Sequence, residues 1–266
     1  MNRIERKFRE LKKQKKKALI LYITAGDPSL KKDEALVLSF EKEGVDLIEL
    51  GVPFSDPLAD GVVIQEASQR ALQKKTTLKK ILSLVKNIRK KSEIPILLMS
   101  YLNPVLQFGI ACFAKEAQKA GVDGLIVPDL PPDEGAAISK ELRKKSIDLV
   151  YLLAPTSNQK RRTLVGTHSR GFVYYVSLTG VTGTRKKLPD SVYQNIRLAK
   201  KSTLLPVCVG FGISSPGQAK TMAAVSDGVI VGSAVVRELG AHPDLSAGEF
   251  SKRFVRPFAK ALGKGA

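Results

Sequence analysis

The sequence predicts an α/β fold, a single (β/α)8 TIM barrel with an extra N-terminal helix, spanning residues 1–266 as one domain. Three observations predict it. Short apolar runs rich in β-formers recur eight times, segments with helical periodicity alternate with them, and a chain of 266 residues matches one barrel, which commonly takes about 250 residues. An open doubly wound sheet would more often use five to seven strands, roughly, so eight units favour closure.

The first element is a basic run, Arg3 through Lys17, interrupted by Ile4, Phe8, Leu11 and Ala18 at near-helical spacing. That pattern reads as an amphipathic helix with a solvated basic face. The strands follow as Ala18 to Thr24, Asp46 to Leu50, Ile94 to Tyr101, Gly124 to Val127, Asp148 to Leu153, Gly171 to Ser177, Leu205 to Phe211 and Gly228 to Gly232. Each is too short for a helix. Between them, segments such as Lys31 to Glu43, Leu78 to Lys91, Phe113 to Ala120, Asp133 to Lys145 and Ser191 to Lys201 carry helical periodicity. Gly44, Gly121, Gly171 and Gly228 fall before or at strand starts, where a helix ends and the chain turns back. The loops after the strands, TAGDP, GVPFSDPLADG, YLNP, VPDLPPDE, APTS, SLTGVTGTR, GFGISSPG and GSA, are at the end where barrel enzymes carry their chemistry. No linker divides the chain, no internal repeat goes beyond the βα pattern, and the tail from Gly263 to Ala266 is expected to fray.

Composition narrows the function classes. Lys and Arg total 44 against 25 acidic residues, a net charge of +19. Such a balance raises nucleic acid as a partner, but no aromatic-interleaved basic strand or nucleic-acid module accompanies it, and no nucleic-acid role is expected. Cys112 and Cys208 are isolated and read as buried thiols rather than as a metal site or disulfide. The N-terminus has no apolar signal core and no stretch approaches the roughly 20 apolar residues of a membrane span, so a soluble cytoplasmic protein is expected.

Glu49, near the C-terminal end of the second strand in DLIELG, points to the opposite face from Ile48 and Leu50, toward the barrel mouth. Partial desolvation there would raise its pKa and suit a group that gives and accepts a proton. A structural glutamate bonded to a backbone donor is the alternative. Asp56 and Asp60 lie in the following loop, FSDPLADG; either would cap a helix beginning near Val62, or converge with Glu49 as an acid and base pair. Glycines of the last three loops, Gly180 and Gly183, Gly210 and Gly212, and Gly232 with Ser233, form a candidate phosphate cradle, since backbone amides and helix N-termini bind anions without Lys or Arg. Tight turning is the alternative for each pair alone. No strand segment holds the lysine a Schiff-base aldolase needs, and His168 and His242 are placed as surface or structural residues, so no metal is expected. Tyr174 either lines the site or belongs to the core.

These residues describe a barrel enzyme acting on a phosphate ester but give no substrate. The segments LYITAGDP (21–28), LIELGVPFSDPLADG (47–61), LMSYLNP (98–104), GLIVPDLPPDE (124–134), LLAPTS (152–157), FVYYVSLTGVTGTR (172–185), VCVGFGIS (207–214) and DGVIVGSAVV (227–236) resemble the tryptophan synthase α-subunit family, in order and over essentially the whole chain. The resemblance implies cleavage of indole-3-glycerol phosphate to indole and glyceraldehyde 3-phosphate. It implies that Glu49 is the general acid and base and that Asp60 steadies the indole nitrogen. By the same resemblance Tyr22 and Tyr174 line the pocket, and Thr182, Gly183, Gly212, Gly232 and Ser233 bind the substrate and its phosphate. The loops bearing Asp56, Asp60 and Thr182 would close over the ligand against a β subunit in an α2β2 complex. Pyridoxal phosphate would belong to that partner, with no cofactor in this chain. Val62 stands where the family usually has Pro, and Leu102 replaces a common aromatic. Neighbouring indole-pathway barrels lack the ELGVPFSDPLADG loop. A weakly catalytic module that only activates the β subunit is disfavoured by intact Glu49 and Asp60.

Overall fold

A computed structural model describes residues 1–176, 190–210 and 212–264. Along the chain run α1 (Arg3–Lys13), β1 (Ala18–Thr24), α2 (Leu30–Lys42), β2 (Leu47–Gly51), α3 (Val62–Gln73), α4 (Leu78–Ile88), β3 (Ile96–Met99), α5 (Leu102–Phe108), α6 (Ile110–Ala120) and β4 (Gly124–Ile126). Then come α7 (Ala136–Arg143), β5 (Asp148–Val150), β6 (Leu152–Leu153), α8 (Gln159–His168), β7 (Val173–Val176), α9 (Asp190–Lys201), β8 (Val207–Gly210), α10 (Pro216–Val225), β9 (Gly228–Val231) and α11 (Ser233–Ala241). The chain finishes in α12 (Ala247–Phe250), a π turn (Ser251–Val255) and α13 (Arg256–Ala261).

All strand pairs are parallel, in the order β5-β4-β3-β2-β1-β9-β8-β7-β6. β5 and β6 are the two halves of the predicted fifth strand. They meet at Tyr151, whose carbonyl accepts from the Tyr174 amide at 3.2 Å, while β5 pairs with β4 and β6 with β7. The first and last members of the order are therefore one strand, and the eight predicted strands form a nearly closed barrel.

Alternation along the strands sorts side chains into two cores. Residues such as Leu19, Leu21, Ile48, Leu50 and Val229 join the helix-facing core. Ala18, Ile20, Leu47, Leu97, Ile126, Val150, Phe172, Cys208 and Ile230 fill the barrel interior. α1 adds to that inner core: Ile4, Phe8 and Leu11 are buried in it, with the Phe8 and Phe172 rings 5.8 Å apart. At about 2 kcal/mol per buried large apolar side chain, this stripe fixes the helix, whose amphipathic character its spacing predicts, across the N-terminal end of the barrel.

That end is closed by aspartates at strand starts. Asp46 accepts from the Leu19 amide at 2.7 Å, Asp123 from Ile96 at 2.9 Å, and Asp227 from Val207 at 3.0 Å, each time reaching the preceding strand's amide or one beside its start. Asp123 is also held by Arg89 at 2.7 Å and Arg3 at 3.1 Å, and Asp148 by Asn2 at 2.6 Å. Burial pushes Asp46, Asp123 and Asp148 above the usual carboxylate range despite these partners.

Several local expectations are corrected. Cys208 is buried, but Cys112 is exposed, because the buried stripe of α6 runs through Phe113, Ala114, Ala117 and Ala120 and leaves position 112 off it. The tail does not fray through Lys264, which is buried and ion-paired to Asp46. The YLNP segment opens α5 rather than ending in loop, with Pro104 in the first turn, where a missing amide costs nothing. Gly121 ends α6 in the left-handed conformation at φ 88°, as a helix-to-strand turn requires. No helix among the described residues is long and apolar enough to cross a membrane.

Candidate active site

The C-terminal end of the barrel gathers the acidic and aromatic residues singled out above. Glu49 lies in β2 opposite Tyr22 of β1 and Leu97 of β3 in register. It is completely buried, and neither carboxyl oxygen has a hydrogen-bond partner among the described residues. No backbone donor among the described residues holds it as a structural glutamate would be held. Desolvation alone pushes its pKa from 4.5 up to about 8, so it holds a proton at neutral pH. An orphaned, protonated carboxylic acid in an apolar barrel is costly to stability, and such groups concentrate at functional sites.

Tyr22 and Tyr174 flank it. Burial pushes both phenols far up, and both respond to the negative charge of Glu49 and Asp60, which places the four groups in one electrostatic neighbourhood. The tyrosines fit because glycines lie beneath them. A Cβ on Gly51 would sit 2.0 Å from the Tyr22 hydroxyl, and one on Gly210 would sit 2.7 Å from the Tyr174 ring. Tyr22 also packs with Ala67 and Val236, which ties β1 to α3 and α11 here. Tyr174 is also part of the inner core, its ring 6.4 Å from that of Phe172, as the core reading of it expects.

Asp60 sits half-buried in the loop after β2, its pKa raised by burial and partly restored by a hydrogen bond from Tyr101. The Tyr101 hydroxyl also accepts from the Ala59 amide at 2.8 Å, and its ring lies 5.3 Å from Phe54. Tyr101 thus clamps the Asp60 loop from the end of β3. The sequence reading passed over Tyr101; its place just beyond the third strand, at the chemical end of a barrel, was the available signal. Helix capping does not account for either aspartate: the N-cap of α3 is Gly61, with no side-chain cap bond. Asp60 meets α3 only through its carbonyl, which accepts from Gln65 at 2.8 Å. Asp56 is exposed and bonded to Ser55.

Of the glycine cradle, Gly210, Gly212, Gly232 and Ser233 are described, while Gly180, Thr182 and Gly183 lie outside the described residues. Gly212 has φ 59° with open space where a Cβ would be, Gly232 caps α11, and Ser233 is that helix's first residue. A Cβ on Gly232 would lie 3.4 Å from Tyr22, which places these glycines beside Tyr22. α10 begins nearby at Pro216, after the Ser215 cap. Helix N-termini thus follow each of the last two strands, and such ends present free amides and the positive end of the helix dipole. Among the described residues no group of His, Cys, Asp and Glu side chains is disposed to hold a metal. His242 instead stacks on Phe254 at 5.1 Å. The described strands hold no lysine.

A parallel (β/α)8 barrel with a desolvated carboxylic acid at its mouth and glycine-lined loops after its last strands defines a barrel enzyme of the acid–base class. Residues 8–261 match the family model described as tryptophan synthase alpha chain. The chain is 50% identical over 238 residues to the tryptophan synthase alpha chain of Geotalea daltonii, covering 90% of each chain. It is 43% identical to that of Pelobacter propionicus over 266 residues and the full length of both. The crystal structure of tryptophan synthase subunit alpha from Legionella pneumophila superposes with a TM-score of 0.92 at 37% identity, covering 99% of each chain. A chain of the Pyrococcus furiosus tryptophan synthase α2β2 complex gives 0.85 at 39% identity, covering 91% of this chain and 98% of that one. The chain belongs to the tryptophan synthase alpha chain family.

Proposed function

We propose that the chain acts as a single cytoplasmic barrel domain that cleaves indole-3-glycerol phosphate to indole and glyceraldehyde 3-phosphate, and passes the indole to a β subunit in an α2β2 complex. The observation that carries this reading is Glu49, a proton-bearing carboxylic acid at the mouth of the barrel with no hydrogen-bond partner among the described residues. Its proton goes to C3 of the indole ring, which leaves positive charge on the ring nitrogen. Asp60, held by Tyr101, faces that charge and stabilises it. The Glu49 carboxylate then takes the proton of the glycerol hydroxyl adjacent to the ring. The carbon–carbon bond breaks, its electron pair returns to the ring, and the hydroxyl oxygen becomes the aldehyde oxygen. Glu49 ends protonated, ready for the next cycle.

Tyr22 and Tyr174 sandwich the indole, and Gly183, Gly212, Gly232 and Ser233 hold the phosphate by amides and hydroxyl. Thr182 and Asp56 belong to loops that close over the ligand on the β-subunit side and exclude water. This chemistry is proton transfer between carboxyl groups and substrate, so the chain needs no cofactor of its own. Pyridoxal phosphate belongs to the β subunit. The test is Glu49→Gln, which keeps the shape and removes the proton donor. We expect turnover to fall by about a thousandfold or more, while a non-cleavable phosphorylated indole analogue still binds. Retained turnover would remove Glu49 from the mechanism.

A further inference from the structure

At the N-terminal end of the barrel, away from Glu49, a cleft of about 890 Å³ opens between α1, the start of β7 and the segment joining α9 to β8. Its carboxylates are already matched. Glu5 is paired with Arg9 at 2.6 Å, Asp227 with Lys200 at 2.7 Å, and Asp148 with Asn2 at 2.6 Å. Three of its cations are not. Lys12, Lys15 and Lys16 are exposed, line the same cleft, and have no acidic partner among the described residues. The C-terminal dipole of α1 accounts for a cation in its last turn, which covers Lys12, but Lys15 and Lys16 lie beyond the helix end. The uncompensated charge of the cleft is therefore positive.

The same cleft has an apolar side. Leu204 is fully exposed at its rim, with half-buried Leu205 and Pro206 beside it. A leucine left wholly in water in the same cleft as unpaired lysines fits a chain that alternates carboxylates with an apolar side chain. It fits a nucleic acid less well, because Phe8, the aromatic residue of the lining, is buried and offers no face for base stacking. We propose that this cleft docks an acidic peptide segment of a partner protein, with carboxylates on Lys12, Lys15 and Lys16 and an apolar side chain on Leu204.

The test uses the full-length chain and a fluorescein-labelled synthetic peptide, EELEELEE, followed by anisotropy at low salt. Saturable binding is expected, weakened more than about tenfold by 0.3 M salt as screening shortens the reach of exposed charges. Reversing Lys12→Glu, Lys15→Glu and Lys16→Glu together should abolish it. Leu204→Ser should weaken it about tenfold, the worth of one buried leucine. Unchanged thermal midpoints would show that both variants fold. Absence of binding, or binding that survives the triple reversal, overturns the proposal. So does equal affinity for leucine-free oligoglutamate, inorganic polyphosphate or single-stranded DNA with no effect of Leu204→Ser, which would mark the cleft as a general polyanion surface.

Discussion

Replacing Glu49 by glutamine should make the protein more stable, by an amount that grows with pH. The folded chain keeps the Glu49 proton up to about pH 8, whereas the ordinary value for the unfolded chain is 4.5. Between those values the unfolded state binds fewer protons than the folded state, so this residue lowers stability as pH rises. At roughly 1.4 kcal/mol per pH unit, its cost is near zero at pH 4.5, about 3 kcal/mol at pH 7, and about 5 kcal/mol above pH 8. Glutamine has a similar shape and does not titrate. The buried aspartates at the other end of the barrel titrate in both proteins and cancel in the difference. Urea unfolding of both proteins at pH 5, 6, 7 and 8, followed by circular dichroism, measures it. A difference that stays flat with pH, or a variant that is less stable at pH 8, would refute the argument that Glu49 is desolvated without a partner.

The other predictions concern its surroundings. Asp60→Asn removes the charge that faces the developing cation, and should lower turnover about a hundredfold or more with little change in phosphate-ligand binding. Gly51→Ala puts a methyl group where the Tyr22 hydroxyl lies; overpacking should cost about 1–3 kcal/mol in urea unfolding and reduce turnover as Tyr22 moves. Arg89→Ala leaves three backbone carbonyls without their donor and weakens the neutralisation of Asp123. It should cost about 3 kcal/mol of stability and leave turnover at permissive temperature unchanged, since it acts at the structural end of the barrel.

Much of this was legible in the sequence for identifiable reasons. Glu49 stood out because period-two alternation places it opposite Ile48 and Leu50, and the helix-facing core takes those two. The α1 stripe at Ile4, Phe8 and Leu11 was equally plain, although periodicity alone gives no hint that it plugs the barrel. The break of the fifth strand at Tyr151 was hidden, because a local change of pairing leaves the run of apolar residues intact. α5 was hidden by Asn103 and Pro104, which read as a turn yet are tolerated in a first helical turn. The aspartates at 46, 123 and 227 form a recurring Asp just before strand starts. Its purpose, bonding a neighbouring strand's amide, is a long-range contact that no local pattern reveals. Tyr101 escaped for the same reason, since its link to Asp60 crosses from one βα unit to the next.

The central claim is tested most directly by steady-state cleavage of indole-3-glycerol phosphate by the purified chain, alone and with a tryptophan synthase β subunit. The account predicts indole release that depends on Glu49 and rises strongly when the partner is added. No cleavage in either state would contradict it, and would leave the barrel with a different phosphorylated substrate or with only an activating role.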